Sequence, residues 1–340
     1  MQKSMSKKLL PLGKVILAVA LIYYLIHKGS LDFAVFAQVA QPVSLVWLFL
    51  IMLASLYLNN IRWGILVSGQ GIVMKQLELF KLTFIGLFFN YAMPGGVGGD
   101  VIKGVYLVKA QPHHKYASAV SIFMDRAVGF FVMTIVASLS LVYNWQRVSA
   151  SPKLLALASA IFALSIFFFL FFSFSLSLKI RQSHFIEKFF KFLPLGEKFR
   201  QVYLSLHSYR KAPRALGLAM LISFVSQFTG TYFFYLVGQI LHVDLPLDIY
   251  LFIIPAGMIV MALPISPAGV GVGQVAFLYL FGLVIDPQAT GGANFGATAV
   301  TLSQVIQLCW SLLGAIFYIQ RRGTHADQRT SLRDEAPQIQ

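Results

Sequence analysis

The sequence predicts an all-α polytopic membrane protein, an inverted repeat of two halves with about six spanning helices and two re-entrant helical hairpins. Three observations carry that prediction. Apolar runs of roughly 20 residues, long enough to cross the hydrocarbon layer, recur along the chain. Hydrophobic residues make up 58% of it and charged ones only 11%, a balance no water-soluble fold of this size could bury. Two more apolar stretches are broken by Gly and Pro, and they fall in matching positions of the two halves.

The formal net charge of +15 would suit nucleic acid, but its placement argues otherwise. Lys and Arg lie in loops between apolar runs, as orientation signals do, so no nucleic-acid partner is expected. The only cysteine, Cys309, lies inside the last apolar run, which leaves no disulfide framework and no thiol metal site.

The first repeat covers 9–143. Residues 1–8 form a cytoplasmic N-terminus whose Lys3, Lys7 and Lys8 precede the run Leu9 to Ile26. No small-residue cleavage site follows that run, so it reads as a retained span. The next span, Val43 to Val67, carries Arg62-Trp63 near its inner end. Arg62 reads as an interfacial side chain that snorkels beside a Trp anchor; the sharper reading is a headgroup contact. A hairpin at 77–108 follows. As helices its legs, Leu77 to Ala92 and Val101 to Val108, would measure ~24 Å and ~12 Å, short of the ~30 Å hydrocarbon core. Between them stands Met93-Pro94-Gly95-Gly96-Val97-Gly98-Gly99-Asp100, which cannot continue a helix. Broken backbone at membrane depth is tolerated only inside protein or along a wet cavity, so this stretch is a candidate site; a turn outside the bilayer is the alternative.

Ala117 to Tyr143 closes the repeat and carries Asp125-Arg126. Each charge costs ~2.5–3.5 kcal/mol near the bilayer centre, so both need partners. Neighbours on a helix point ~100° apart, so each has its own. Lys103 is the first candidate for Asp125, with Arg62 second, and Asp100 suits Arg126. A structural ion pair and a substrate contact both fit.

The second repeat, 144–319, repeats the order from the opposite side. Lys153 to Ser173 crosses inward to the basic cytoplasmic loop 179–214, in which Phe199, Val202, Tyr203 and Leu206 have the spacing of an interfacial helix. Arg214 to Leu241 crosses outward. The hairpin 249–285 is broken at Pro264-Ile265-Ser266-Pro267-Ala268-Gly269-Val270-Gly271-Val272-Gly273-Gln274. Phe295 to Ile319 returns to a polar cytoplasmic tail, 320–340. Charge asymmetry places both termini inside and 242–248 and 286–294 outside. Pro94-Gly95-Gly96-Val97-Gly98 and Pro267-Ala268-Gly269-Val270-Gly271 share the pattern Pro-x-Gly-Val-Gly.

The candidate substrate-binding residues follow from these breaks. Gly95, Gly96, Gly98, Gly99, Gly269, Gly271 and Gly273 let backbone approach a ligand, and Pro94 and Pro267 enforce the breaks. Helix N-termini beyond them favour phosphate. Lys103 and Arg126 add positive charge, Asp100 and Asp125 orient it or meet an amine, and Asn90, Ser266 and Gln274 add polar contacts. Other chemistry is excluded. No Gly-Lys-Ser/Thr follows the glycines, so they hold no ATP. The adjacent His113 and His114 are poorly spaced for a metal, and Ser266 has no His near it in sequence. Glu78, Asp100 and Asp125 make a thin set for acid–base catalysis. A non-enzymatic protein without cofactor is expected.

These residues resemble the lysylphosphatidylglycerol synthase transmembrane region, a family of flippase-like integral membrane proteins. The resemblance rests on Asn90 with Pro94 to Asp100, on Asp125-Arg126 with Gly129, and on Pro264, Ser266, Pro267 and Gly269-Val270-Gly271. It covers about residues 10 to 320 and implies the handling of lipids in the bacterial plasma (inner) membrane. Some members carry a soluble aminoacyl-transferase domain after this region; here a short tail follows, so synthase activity is not implied. Many relatives have Glu where this chain has Gln274. The resulting expectation is a translocase that moves a polar, anionic lipid headgroup between leaflets along the two hairpins. A small-solute or ion transporter on the same repeat is an alternative, as is a non-transporting protein that delivers lipid to a lipid-modifying enzyme.

Overall fold

The computed structural model describes residues 20, 22–23, 27, 41–93, 98–177, 196–285 and 294–334, without the side chains of Ala92 and of residues beyond Arg321. The expected first span 9–26, the tip 94–97 and most of the basic loop lie outside the described residues. In chain order the helices are α1 Pro42–Gly69, α2 Gln76–Ala92, α3 Gly98–Ala110, α4 Lys115–Tyr143, α5 Trp145–Ser149, α6 Pro152–Leu176, α7 Gly196–Ser208, α8 Pro213–Ile240, α9 Leu247–Ala262, α10 Val272–Phe281 and α11 Phe295–Asp334. The described residues form no strand.

Five helical segments are long and apolar enough to cross a membrane: Pro42–Gly69, Pro112–Tyr143, Pro152–Leu176, Pro213–Ile240 and Phe295–Arg321. They answer to the expected spans after the first. Proline opens α1, α6 and α8, where its missing N–H is one that no helix would pair anyway. Their outward faces are apolar: Val43, Val46, Trp47 and Leu50 on α1, Leu218, Leu221, Val225 and Phe228 on α8, and Leu308, Leu312 and Ile316 on α11 are exposed. In water such faces would drive aggregation; in lipid they are the required surface.

The glycine-broken stretches give two hairpins of shorter helices, α2 with α3 and α9 with α10. Their first legs have 17 and 16 residues. Each first leg packs on a span from the other half of the chain: α2 lies along α11 and α9 along α4, while α1 and α8 form the most extensive pair. Small residues permit this. A Cβ on Gly314 of α11 would overlap the carbonyl of Phe84 on α2, and one on Gly296 would overlap that of Phe277 on α10. Without a hydrophobic drive between helices in lipid, such close backbone approach supplies the contact energy.

The segment expected as an interfacial helix is helical where it is described. In α7, Phe199 and Val202 are exposed, whereas His207 is buried with its ring on the carbonyl of Ser175, 3.1 Å away. After α7, Tyr209 donates to the carbonyl of Leu66 at 2.9 Å. Burial raises the pKa of that hydroxyl, so it stays a donor and ties the segment to α1.

Candidate functional site

Three spans converge on one buried ion pair. Arg62 of α1 donates from Nε to Asp125 of α4 at 2.7 Å, and from Nη1 to Ser223 of α8 at 3.3 Å. The two charged side chains are only 11% and 13% exposed. Gly129, one turn beyond Asp125, makes room: a Cβ there would stand 3.1 Å from Nη1 of Arg62. This corrects the reading of Arg62 as an interfacial, snorkelling residue. The guanidinium turns inward because α4 supplies a carboxylate and α8 a hydroxyl, and a buried charge with such partners need not reach the interface.

The second ion pair has a different character. Arg126, next to Asp125 but on another face of α4, donates from Nε to Asp100 of α3 at 2.7 Å. Its side chain is 42% exposed, and its remaining N–H groups have no partner among the described residues. The pairing of Arg126 with Asp100 is the expected one; Asp125 takes Arg62, its second candidate. Lys103 is buried in the first hairpin with Nζ 4.0 Å from the ring centre of Trp63. It forms no direct ion pair there, but Asp125 and Asp100 both bear on it electrostatically.

The other candidate residues mostly close the hairpins themselves. Asn90 accepts from the N–H of Gly99 at 2.9 Å, pairing one of the donors that open α3. A Cβ on Gly99 would overlap the carbonyl of Gly86, and one on Gly98 would lie 2.9 Å from the Met93 side chain. The room these glycines leave is filled by the chain. In the second hairpin Gly269 and Gly271 have φ of +72° and +82°, so glycine is needed there for backbone shape, and a Cβ on Gly273 would stand 2.9 Å from the sulfur of Met261. Gln274 is buried; its oxygen accepts from Gly271 N at 2.7 Å and its amide donates to Thr301 and Gln304 of α11 at 3.1 and 2.7 Å. Ser266 is buried with its hydroxyl unpaired among the described residues, and the turn begun by Pro267 packs on α2. Pro94, Gly95 and Gly96 lie outside the described residues. Tyr91, at the end of α2, reaches across to the carbonyl of Gln304 at 3.2 Å and the side-chain oxygen of Gln307 at 2.9 Å, so the two broken regions meet on α11.

A cavity of 220 Å³ lies between α1, α4, α8, α9 and α11. Ser55 and Asn59 line it from α1, Ser226 and Gln227 from α8, Ser303, Gln304 and Gln307 from α11, with Met133, Met258 and Met261 among the apolar walls. The ion pair adjoins it. Asn59 precedes Arg62 by one turn, Ser226 follows Ser223 by one turn, and Met133 follows Gly129 by one turn. The Arg62–Asp125–Ser223 set therefore lies about one helical turn from the cavity without lining it. The sequence reading did not single out these lining residues. Their signal is a stripe of Ser, Asn and Gln at spacings of three and four on otherwise apolar spans.

A wider, open groove of 730 Å³ lies between α1 and the start of α8, with Lys211 and Arg214 at its edge and Ile61, Ile65 and Leu218 in its walls. The described residues contain no group of His, Cys, Asp and Glu able to hold a metal.

The family model described as "Lysylphosphatidylglycerol synthase TM region" matches residues 12–310. The chain belongs to this family. The match spans both hairpins, both ion pairs and the cavity. No curated protein and no solved structure matches the chain.

Proposed function

We propose that this family member is a lipid translocase of the bacterial plasma membrane. It moves a polar, anionic headgroup between leaflets and makes or breaks no covalent bond. The observation that carries this reading is an uncharged cavity with a stripe of Ser, Asn and Gln in its wall, one turn from a buried ion pair, inside a bundle whose outer faces are apolar. A headgroup crossing hydrocarbon must exchange its water for protein groups while its acyl chains stay in lipid. The cavity offers such groups. Arg126, half exposed and with N–H groups to spare, offers a bidentate hold for phosphate. Arg62, Lys103 and Arg126 outnumber Asp100 and Asp125, so the cluster accommodates one added negative charge. Lys211 and Arg214 favour a first phosphate contact in the open groove.

The packing of α2 on α11 and of α9 on α4 supports an inverted repeat in which each hairpin re-enters the membrane against the opposite half. The charge asymmetry of the sequence supports cytoplasmic termini. Membrane lipids are then the partners of the chain. The test is reconstitution into liposomes carrying fluorescent lipids, with the outer leaflet bleached by a membrane-impermeant reductant. Protein-dependent loss of the protected inner-leaflet signal is expected for anionic lipids. Folded protein that moves no lipid would leave solute transport, or delivery to a lipid-modifying enzyme, as the function.

A further inference from the structure

Among the described residues, the polar part of the cavity wall is made of amides and hydroxyls, with no Asp, Glu, Lys, Arg or His. Several of these groups are only partly used. Asn59 gives its N–H to the carbonyl of Ser55, 2.9 Å away, and its side-chain oxygen has no donor among the described residues. Gln227 gives its N–H to Thr231 at 3.3 Å, and its oxygen is likewise free among the described residues. Gln307 accepts from Tyr91 and keeps its own N–H groups. Ser226 is 6% exposed, lines the cavity and has no hydrogen-bond partner among the described residues. Unpaired polar groups inside a membrane protein are costly, so this mixed set of donors and acceptors is built for something that hydrogen-bonds back. Phe233 and Phe234 add aromatic wall, and Met52, Met133, Met258 and Met261 add adaptable apolar wall.

We infer that this cavity binds the uncharged, hydroxyl-rich part of a lipid headgroup, a glycosyl or polyol unit. Each hydroxyl of such a unit both donates and accepts, which matches amide side chains that offer an oxygen on α1 and α8 and an N–H on α11. A charged terminal group would meet no counter-charge here, and a bare acyl chain would leave the amides unpaired. The inference rests on the translocase reading and adds the substrate class: phosphate at the charged cluster, hydroxylated unit in the cavity beside the Arg62–Asp125 pair.

The test places a cysteine at the cavity, Ser226→Cys in a Cys309→Ala background, in phosphatidylcholine nanodiscs, and follows its reaction with a small methanethiosulfonate. Doping with phosphatidylinositol, which carries both a phosphate and a polyol, is expected to slow labelling about tenfold, whereas phosphatidic acid or phosphatidylethanolamine of the same chains leaves it unchanged. Gln227→Leu and Asn59→Leu, each combined with the cysteine, are expected to abolish that protection. Equal protection by all three lipids overturns the substrate class. A cysteine that never reacts in folded protein overturns the site. The leaflet assay on fluorescent phosphatidylinositol separates the two readings: protection without movement keeps the site and sinks the translocase, and movement without protection does the reverse.

Discussion

Around the first break, between α2 and α3, the groups that face α4 and α1 are charged: Lys103 and Asp100 on the hairpin, met by Arg126, Asp125 and Arg62, while neutral Tyr91 reaches α11. Around the second, between α9 and α10, they are neutral: Gln274, bound to Thr301 and Gln304 of α11. Both hairpins do the same mechanical task, holding broken backbone against a span. The difference teaches what else each can do. An amide network keeps its partners whatever the ligand's charge. An ion pair can trade a carboxylate for a phosphate, because the guanidinium binds both with the same geometry. The first hairpin is therefore where an anion can bind by exchange, and the second is a fixed wall against which a neutral group can rest.

The largest expected effect comes from breaking the closed ion pair of the charged region. Arg62→Leu leaves Asp125 buried and unpaired, a loss of about 3–5 kcal/mol. The double change Arg62→Leu with Asp125→Leu removes both desolvation costs and is expected to recover most of that loss. Thermal unfolding followed by size-exclusion chromatography in detergent checks both. A single variant as stable as the parent would mean that the pair is solvated.

Backbone contact gives the next largest contrast between the hairpins. Gly99→Ala drives a methyl into the carbonyl of Gly86, where nothing flexible can yield, and is expected to cost about 1–3 kcal/mol. Gly273→Ala meets the sulfur of Met261, which can swing aside, and gains helix propensity within α10. Its stability is expected to stay within about 1 kcal/mol of the parent. If the two variants melt alike, the hairpins do not differ in backbone closeness.

How far these contacts were legible in the sequence depends on their physics. Hydropathy and length set the spans, because lipid demands both from each helix separately. Gly and Pro marked the two breaks for the same local reason. The Arg126–Asp100 pair could be inferred because both residues lie at membrane depth and each needs a partner. The inward turn of Arg62 could not, since it depends on Ser223 lying 161 positions away and on the space beside Gly129. The cavity was also hidden. Ser55, Asn59 and Gln227 are each unremarkable on their own span, and only the packing of α1 on α8 brings their stripes together. Glycines chosen in the sequence as ligand contacts are mostly explained by helix packing, which uses the same lack of a side chain.

Gln274→Glu sharpens the comparison by making the neutral hairpin titratable. Gln274 is 1% exposed, and burial raises the pKa of a carboxyl that takes its place. A raised folded-state pKa means that the native state holds its proton longer than the unfolded chain. Stability is then fully present below the unfolded value of about 4.3 and falls as pH rises, by up to about 1.4 kcal/mol per pH unit, until the folded pKa is reached. Melting temperatures from pH 4 to 8, referred to the parent at each pH, check the sign; a flat difference would mean that the site is open to water.

The smallest expected effect on stability falls on Arg126, and it bears most directly on function. Its pair with Asp100 is half exposed, and such pairs contribute about 0–1 kcal/mol, so Arg126→Gln is expected to fold and melt almost as the parent does. Lipid movement should respond very differently. If phosphate displaces Asp100 on the guanidinium, Arg126→Gln removes the exchange site and leaflet transfer of anionic lipid is lost. Arg126→Lys keeps the charge but not the bidentate hold, and transfer is expected to fall to an intermediate rate. Asp100→Asn frees the guanidinium and should tighten binding of anionic lipid while slowing its release. The double variant Asp100→Asn with Arg126→Gln then decides between roles. Full activity in that variant would show that neither charge touches the headgroup and that the ion pair only ties α3 to α4. Intact folding with no transfer would place phosphate on Arg126, and with it the difference between a hairpin that exchanges partners and one that keeps them.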